Sequence, residues 1–270
     1  MSTGTTTVSQ WTSDTAVLTR RNLWHVRREP MQLSDVTIQP VLFVFLFVYV
    51  FGAAMNIPGG SYVDFAIAGL LTLNLTTSSV GTAVGMSTDL TTGVINRFRT
   101  LPMARSSVLV GRSISDLLAS ALAATLVLIT GFIIGWRPDN DVLSVLGGIG
   151  IVLLFAYALS WASACLGISA QNPEAAQGVA FTVLFPLSFV SNAFVPTQGM
   201  PNWLETIANW NPVSAVTASV RVLFGNPNPS GTIDTWPMQH PTQAALAWCL
   251  VFLAVFVPLA VRLYRKATLD

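Results

Sequence analysis

Charge is scarce in this sequence. Lys, Arg, Asp and Glu make up 9% of the 270 residues, whereas 52% are apolar and the mean hydropathy is +0.62. An ordinary soluble domain carries about 25% charged residues, so a surface this poor in charge belongs in lipid. Single residue types are equally short. The one lysine, Lys266, stands between Arg265 and Ala267. The chain therefore lacks the Gly-Lys-Ser or Gly-Lys-Thr that brings a lysine to nucleotide phosphates, which excludes ATP hydrolysis by that route. The two histidines, His25 and His240, are expected on opposite sides of the membrane and neither sits beside a cysteine or carboxylate cluster, which argues against a metal centre. No Gly-x-Ser-x-Gly elbow is present to support a hydrolase. Two cysteines, Cys165 and Cys249, are too few for a disulfide scaffold, and both fall in apolar stretches as small buried side chains. A formal net charge of +1 gives no basic field for nucleic acid.

What the chain has instead is long charge-free runs: 36–63, 65–88, 117–136, 142–173, 175–204 and 235–261. A helix needs about 20 residues to cross roughly 30 Å of hydrocarbon. The runs predict six membrane helices near 38–56, 64–87, 114–136, 142–168, 176–195 and 242–263. A β-barrel strand would alternate apolar and polar residues, and Val41-Leu42-Phe43-Val44-Phe45-Leu46-Phe47-Val48 does not. The fold class is all-α and polytopic. The whole chain, 1–270, reads as one membrane domain: a cytoplasmic segment over 1–37, the six-helix body over 38–263 and a short tail over 264–270.

Basic residues set the orientation. With six spans and the N-terminus inside, Arg20, Arg21, Arg27, Arg28, Arg97, Arg99, Arg105, Arg112, Arg262, Arg265 and Lys266 are cytoplasmic, which leaves Arg137 and Arg221 outside. The positive-inside rule thus predicts both termini in the cytoplasm. The first 37 residues carry no apolar core of signal-peptide type, so no cleavage is expected.

Three segments outside the spans have character. From Asp14 to Pro30, Val17, Trp24 and Met31 recur every seven residues beside Arg20, Arg21, Arg27 and Arg28. That pattern predicts an interfacial helix with Trp24 at headgroup depth and the arginines reaching anionic lipid. The external stretch from Val195 to Gln243 is rich in Pro and Trp, and its Thr206–Leu223 part is apolar but too short to span. It predicts a re-entrant or interface-hugging helical hairpin between the fifth and sixth helices. The third segment is the cytoplasmic loop from Met86 to Arg112. Its Val94, Ile95, Phe98 and Leu101 recur at helical spacing, giving more apolar surface than a solvated tether needs. Ion-coupled carriers place ionisable residues in the membrane core. Here Asp64, Asp116 and Glu174 are expected at helix ends, so the driving energy must come from another subunit, and this loop is its expected docking point.

The run Gly93-Val94-Ile95-Asn96-Arg97-Phe98-Arg99-Thr100-Leu101-Pro102-Met103-Ala104-Arg105 resembles the signature of ABC type-2 exporter permeases, in the branch named for daunorubicin resistance. The resemblance continues through Asn192-Ala193-Phe194-Val195-Pro196, Met200-Pro201-Asn202-Trp203-Leu204, Asn211-Pro212-Val213 and Arg221, and covers roughly residues 15 to 266. Asn96 stands where family members commonly carry an acidic residue, so an ionic contact there is not carried over. The resemblance implies a bacterial inner-membrane permease subunit that is not itself an enzyme. Two permeases, identical or paralogous, would pair in the bilayer above two cytosolic ATPase subunits that bind ATP and Mg. This chain would hold no cofactor. Asn96, Arg97, Phe98, Arg99, Leu101 and Pro102 match the coupling helix that enters the ATPase, and Arg20, Arg21, Trp24, Arg27 and Arg28 match the interfacial helix.

The second helix is unusually polar, with Thr72, Asn74, Thr76, Thr77, Ser78, Ser79 and Thr82, followed by a Gly-x-x-x-Gly at Gly81 and Gly85. Interhelical packing and a cavity wall both fit that composition. The expected substrate path is Phe47, Asn74, Thr77, Ser78, Ser188 and Asn192, with Phe43, Phe47 and Phe51 as an apolar wall. The cargo implied is a hydrophobic or amphiphilic small molecule of drug or antibiotic type. Export of a lipid or glycolipid is the alternative, and a non-transporting scaffold or sensor is the competing class.

Overall fold

A computed structural model describes residues 30–53, 55, 57, 60–92 and 105–267. Among them every regular element is helical. The order is α1 (Pro30–Leu46), continued by a π-helical turn over Phe47–Phe51, then α2 (Tyr62–Thr91), α3 (Arg105–Ile134), α4 (Val142–Ser169), α5 (Pro173–Phe189), α6 (Asn202–Trp210), α7 (Pro212–Phe224), α8 (Trp236–Gln239) and α9 (Pro241–Ala267).

Four of these, α2, α3 from Val110, α4 and α9, are long and apolar enough to cross a membrane. The runs expected as the first and fifth spans are helical but shorter. The apolar part of α1 covers Thr37–Phe51 and includes the π turn. The α5 helix carries Pro186 inside it and gives way at Val190 to a non-helical bend through 195. Elsewhere the helices outrun the charge-free gaps. The α2 helix continues to Thr91 rather than 87, and α3 begins at Arg105 rather than 114. Asp116 therefore lies well inside α3 and not at a helix end, because Arg112 and Thr82 give its carboxylate partners.

Helix ends follow local chemistry. Ser61 caps α2, accepting from the Asp64 amide at 3.2 Å while its hydroxyl donates to Asp64 Oδ2 at 2.7 Å. Two Asn-Pro pairs start helices in the same way. Asn172 accepts from the Ala175 amide at 2.7 Å with Pro173 opening α5, and Asn211 accepts from the Val213 amide at 2.8 Å with Pro212 opening α7. Gly225, at φ +73°, ends α7 in the left-handed region that a side chain would disfavour. Asn140 Nδ2 then donates to the Val222 carbonyl at 2.9 Å and the Asp139 amide to the Phe224 carbonyl at 2.9 Å, so both ends of α7 are satisfied.

The core forms around α2, which packs on α3, α4, α5 and α7. Of its apolar window 78% is buried, against 22% for α9, so α2 is the internal helix and α9 lies on the surface. Two helices, α6 and α7, occupy the stretch where a helical hairpin was expected, and they differ. From Pro212 to Arg221 α7 is buried on every side, whereas α6 exposes Trp203, Ile207 and Trp210 on one face.

Candidate functional site

The polar residues of α2 divide by what their side chains touch. Thr72 donates to the Ala68 carbonyl at 2.9 Å, Thr76 to Thr72 at 2.8 Å and Ser79 to Thr76 at 2.6 Å, and all three are buried. Thr77 donates to Leu73 and Asn74, and Ser78 to Asn74 at 2.7 Å. The hydroxyls are thus consumed by their own helix, which lets a polar sequence pass through an apolar core. Asn74 differs: it is buried, and its Oδ1 has no hydrogen-bond partner. Beside it Ser78 and Gly81 are exposed.

The other members of the predicted path lie elsewhere. Phe47 is buried by stacking on Phe194 (4.6 Å between centroids) and Phe51 (5.1 Å), with Phe43 edge-on at 6.3 Å. The aromatic wall exists, and it continues from Phe194 to Phe189 and Phe185 on α5. Ser188 is buried and donates to the Leu184 carbonyl at 2.8 Å. Asn192 is buried, with its amide donating to Ser214 Oγ and its Nδ2 to Ser230 Oγ, both at 3.0 Å. No hydrogen bond joins Asn74, Thr77 or Ser78 to Ser188 or Asn192 among the described residues. The structure gathers Asn74, Thr77 and Ser78 on one helix, ties Ser188 to its own helix α5, and places Asn192 in a separate buried cluster.

That second cluster collects side chains from distant parts of the sequence. Asn211, already the cap of α7, donates from Nδ2 to the carbonyls of Leu187 and Val190 at 2.7 and 2.6 Å, closing the frayed end of α5. Thr197 donates to Asn209 at 2.9 Å, and Gln198 holds the Pro229 carbonyl at 2.9 Å. At the centre is Arg221, fully buried, with its guanidinium 3.6 Å from the centroid of the Phe65 ring. Its Nε donates to the Phe65 carbonyl at 3.1 Å and its Nη2 to the Ala193 carbonyl at 3.0 Å, while Nη1 is unpartnered. Charge counting puts Arg221 in an external loop, yet it is an internal clamp. The available signal was its position as the one charge between Glu205 and Asp234.

The Gly-x-x-x-Gly of α2 also has a different use. A Cβ on Gly81 would meet open space, and one on Gly85 would fall inside the Arg112 guanidinium, so within this chain neither is a site of helix-helix backbone approach. Gly167 has that role, since its Cβ would strike the Ala83 backbone on α2, and at Gly69 the backbone that approaches is the bend at Ala193.

The predicted coupling residues Asn96, Arg97, Phe98, Arg99, Leu101 and Pro102 lie outside the described residues, as do Arg20, Arg21, Trp24, Arg27 and Arg28. Among the described residues no group of three or more His, Cys, Asp or Glu is placed to hold a metal ion.

Residues 13–224 match the family model described as ABC-2 type transporter. The chain is 34% identical to the daunorubicin resistance ABC transporter permease protein DrrB1 of Streptomyces coeruleorubidus, over 94% of this chain and 88% of that protein. It is 24% identical to the doxorubicin resistance ABC transporter permease protein DrrB of Mycobacterium tuberculosis, over 88% and 86% respectively. A third relative, the putative transport permease ycf38 of Porphyra purpurea, is 26% identical over 77% and 73%.

Proposed function

The chain belongs to the ABC-2 type transporter family, and on that premise we propose that it is the membrane permease of an ATP-driven exporter of hydrophobic or amphiphilic small molecules. It is a multi-pass membrane protein and not itself an enzyme; ATP and Mg are handled by a separate ABC ATPase. The observation that carries the reading is the near full-length likeness to permeases named for daunorubicin and doxorubicin resistance. In this reading α1 with its π turn and α5 complete a six-span body, both termini are cytoplasmic, and two permeases pair over two ATPase subunits. The segment around Trp24 lies in the inner interface. The α6–α7 pair enters from the outer face, an arrangement supported by the burial of α7 from Pro212 to Arg221 and by the Trp203, Ile207 and Trp210 face of α6. Cargo passes along the Asn74 face of α2 and the aromatic wall. A scaffold or sensor has no support from the family match.

The test is to co-express the chain with the P-loop ATPase encoded nearest to it and to follow ATP-dependent daunorubicin uptake into inside-out vesicles. The expected result is uptake that requires both chains and ATP, with no ATP turnover by the isolated permease. Phe98→Ala should release the ATPase more than Arg97→Gln or Arg99→Gln, since a buried aromatic contributes roughly 1.5–3 kcal/mol and a wetted rim arginine roughly 0–1 kcal/mol. Uptake of a labelled phospholipid in place of daunorubicin would favour lipid export, and ATP turnover by the permease alone would overturn the assignment.

A further inference from the structure

The cytoplasmic ends of α2 and α3 flank the loop of residues 93–104, and one side chain ties them together. Arg112 Nη1 lies 3.5 Å from Asp89 Oδ2, and its Nη2 donates to the Gly81 carbonyl at 3.2 Å. Its Nε lies 3.6 Å from Asp116 Oδ1, and Thr82 holds the other oxygen of that carboxylate at 2.7 Å. The guanidinium fits only because residue 85 is glycine. Side chains on a helix tilt toward its N-terminus, so Asp89 reaches back one turn to the same point over Gly85. Side-chain exposure is 20% for Arg112, 14% for Asp89 and 25% for Asp116, so water screens these charges only in part.

We propose that Arg112 is a positioning residue for ATP-driven export: it locks the cytoplasmic ends of α2 and α3 into one lever, so that a force on the loop between them moves both helices together. This rests on the permease reading above. Asp89 lies in the last turn of α2 and Arg112 two turns into α3, about 10 Å from its start. The lock therefore sits where the loop's two ends meet the membrane body. Because α2 also packs on α4, α5 and α7, a displacement of the pair reaches the whole bundle. Without the lock, the same force unwinds or bends the first turns of α3 and leaves α2 behind.

Gly85→Ala tests this while keeping every charge. The guanidinium is the mobile end of a long side chain, so a methyl at residue 85 displaces it and leaves the backbone of α2 in place. Arg112→Gln removes the charge, and Gly150→Ala, whose methyl meets open space on α4, is the control. Amide exchange on the full permease in nanodiscs should show both test variants losing protection at 86–91 and 105–112, with the other helices protected as in wild type. In proteoliposomes with the ATPase, recruitment and basal ATP turnover should stay within about twofold, while daunorubicin moved per ATP falls about tenfold, the scale of a coupling contact. Unchanged exchange, an unchanged transport-to-ATP ratio, or loss of ATPase recruitment would each overturn the proposal. If the wild-type pair fails to move daunorubicin, the permease reading is what fails, and the exchange result alone decides whether Arg112 locks the two ends.

Discussion

Arg221 on α7 donates to the carbonyl of Ala193 at 3.0 Å, joining a buried helix segment to the bend that follows α5. With the Phe65 ring and carbonyl completing the clamp, three segments far apart in sequence meet at one guanidinium. A buried charge costs solvation, so the clamp persists only if its contacts offset that cost. Lysine has a point charge and cannot stack while reaching two carbonyls, so Arg221→Lys should not substitute. Arg221→Ala leaves a cavity and an unmatched Ala193 carbonyl, and should cost about 3 kcal/mol. Arg221→Met fills the volume and should fall between. Thermal unfolding of the purified chain in detergent checks the order, and a methionine variant as stable as wild type would show that the hydrogen bonds contribute nothing net.

The glycines give a second, independent test of packing. At Gly69 and Gly167 an added methyl meets backbone of Ala193 and Ala83, which cannot swing aside. Each Gly→Ala change there should destabilise by about 1–3 kcal/mol. Gly81→Ala and Gly150→Ala meet open space and should leave the unfolding midpoint unchanged or raise it, since alanine exceeds glycine in helix propensity by about 1 kcal/mol. Equal losses at all four positions would contradict the contacts described.

Much of this architecture was legible because charge is so costly in lipid that its absence marks the spans. The four longest apolar helices fall on four of the six charge-free runs. The same rule put Asp116 at a helix end and gave no sign that Arg221 is buried, because counting charges treats each as if water were its only partner. Arg221 finds its partner 156 residues away in Phe65, and Asp116 finds Arg112 one turn back and Thr82 on a neighbouring helix. The Gly-x-x-x-Gly failed similarly: spacing shows a small-residue face, but only the fold shows that a guanidinium fills it. Asn211-Pro212 stood in the sequence only as part of the family resemblance; its cap on α7 and its second task, closing α5, depend on where the two helices begin and end. For the candidate path, composition singled out the whole polar face of α2, and only the hydrogen bonds separate Asn74 from the hydroxyls beside it.

Asp141 provides a pH-dependent check outside the membrane body. Its carboxylate accepts from the Ser144 hydroxyl at 2.7 Å and the Ser144 amide at 3.3 Å, and these bonds hold its carboxyl below the usual carboxylate range. A depressed pKa contributes stability above the unfolded value, lost as pH falls through the folded value. Asp141→Ala should therefore be less stable than wild type at neutral pH, with the difference shrinking as pH falls from the ordinary carboxylate range and reaching its minimum once the medium is more acidic than that depressed pKa. Asp141→Asn keeps a capping oxygen without the titration and should show no such convergence. Unfolding midpoints across an acid series decide it.

Asn74 is where packing and transport make opposite forecasts. Its Oδ1 is buried without a partner, a state that costs free energy unless something else uses the group. If its role is only to pack, leucine of similar size should be neutral or stabilising and export should be untouched. If Asn74 meets cargo, Asn74→Leu should keep or raise the unfolding midpoint and lower ATP-driven daunorubicin export about tenfold, equivalent to roughly 1.4 kcal/mol for one lost polar contact. Thr72 is the matched comparison two residues before it: buried, with its hydroxyl already bonded to Ala68. Thr72→Val removes a bond internal to the helix and should leave export at the wild-type level. Export that falls in step with stability in both variants would return the polar face of α2 to a packing role, whereas loss confined to Asn74→Leu, at unchanged stability, makes that face a wall of the path.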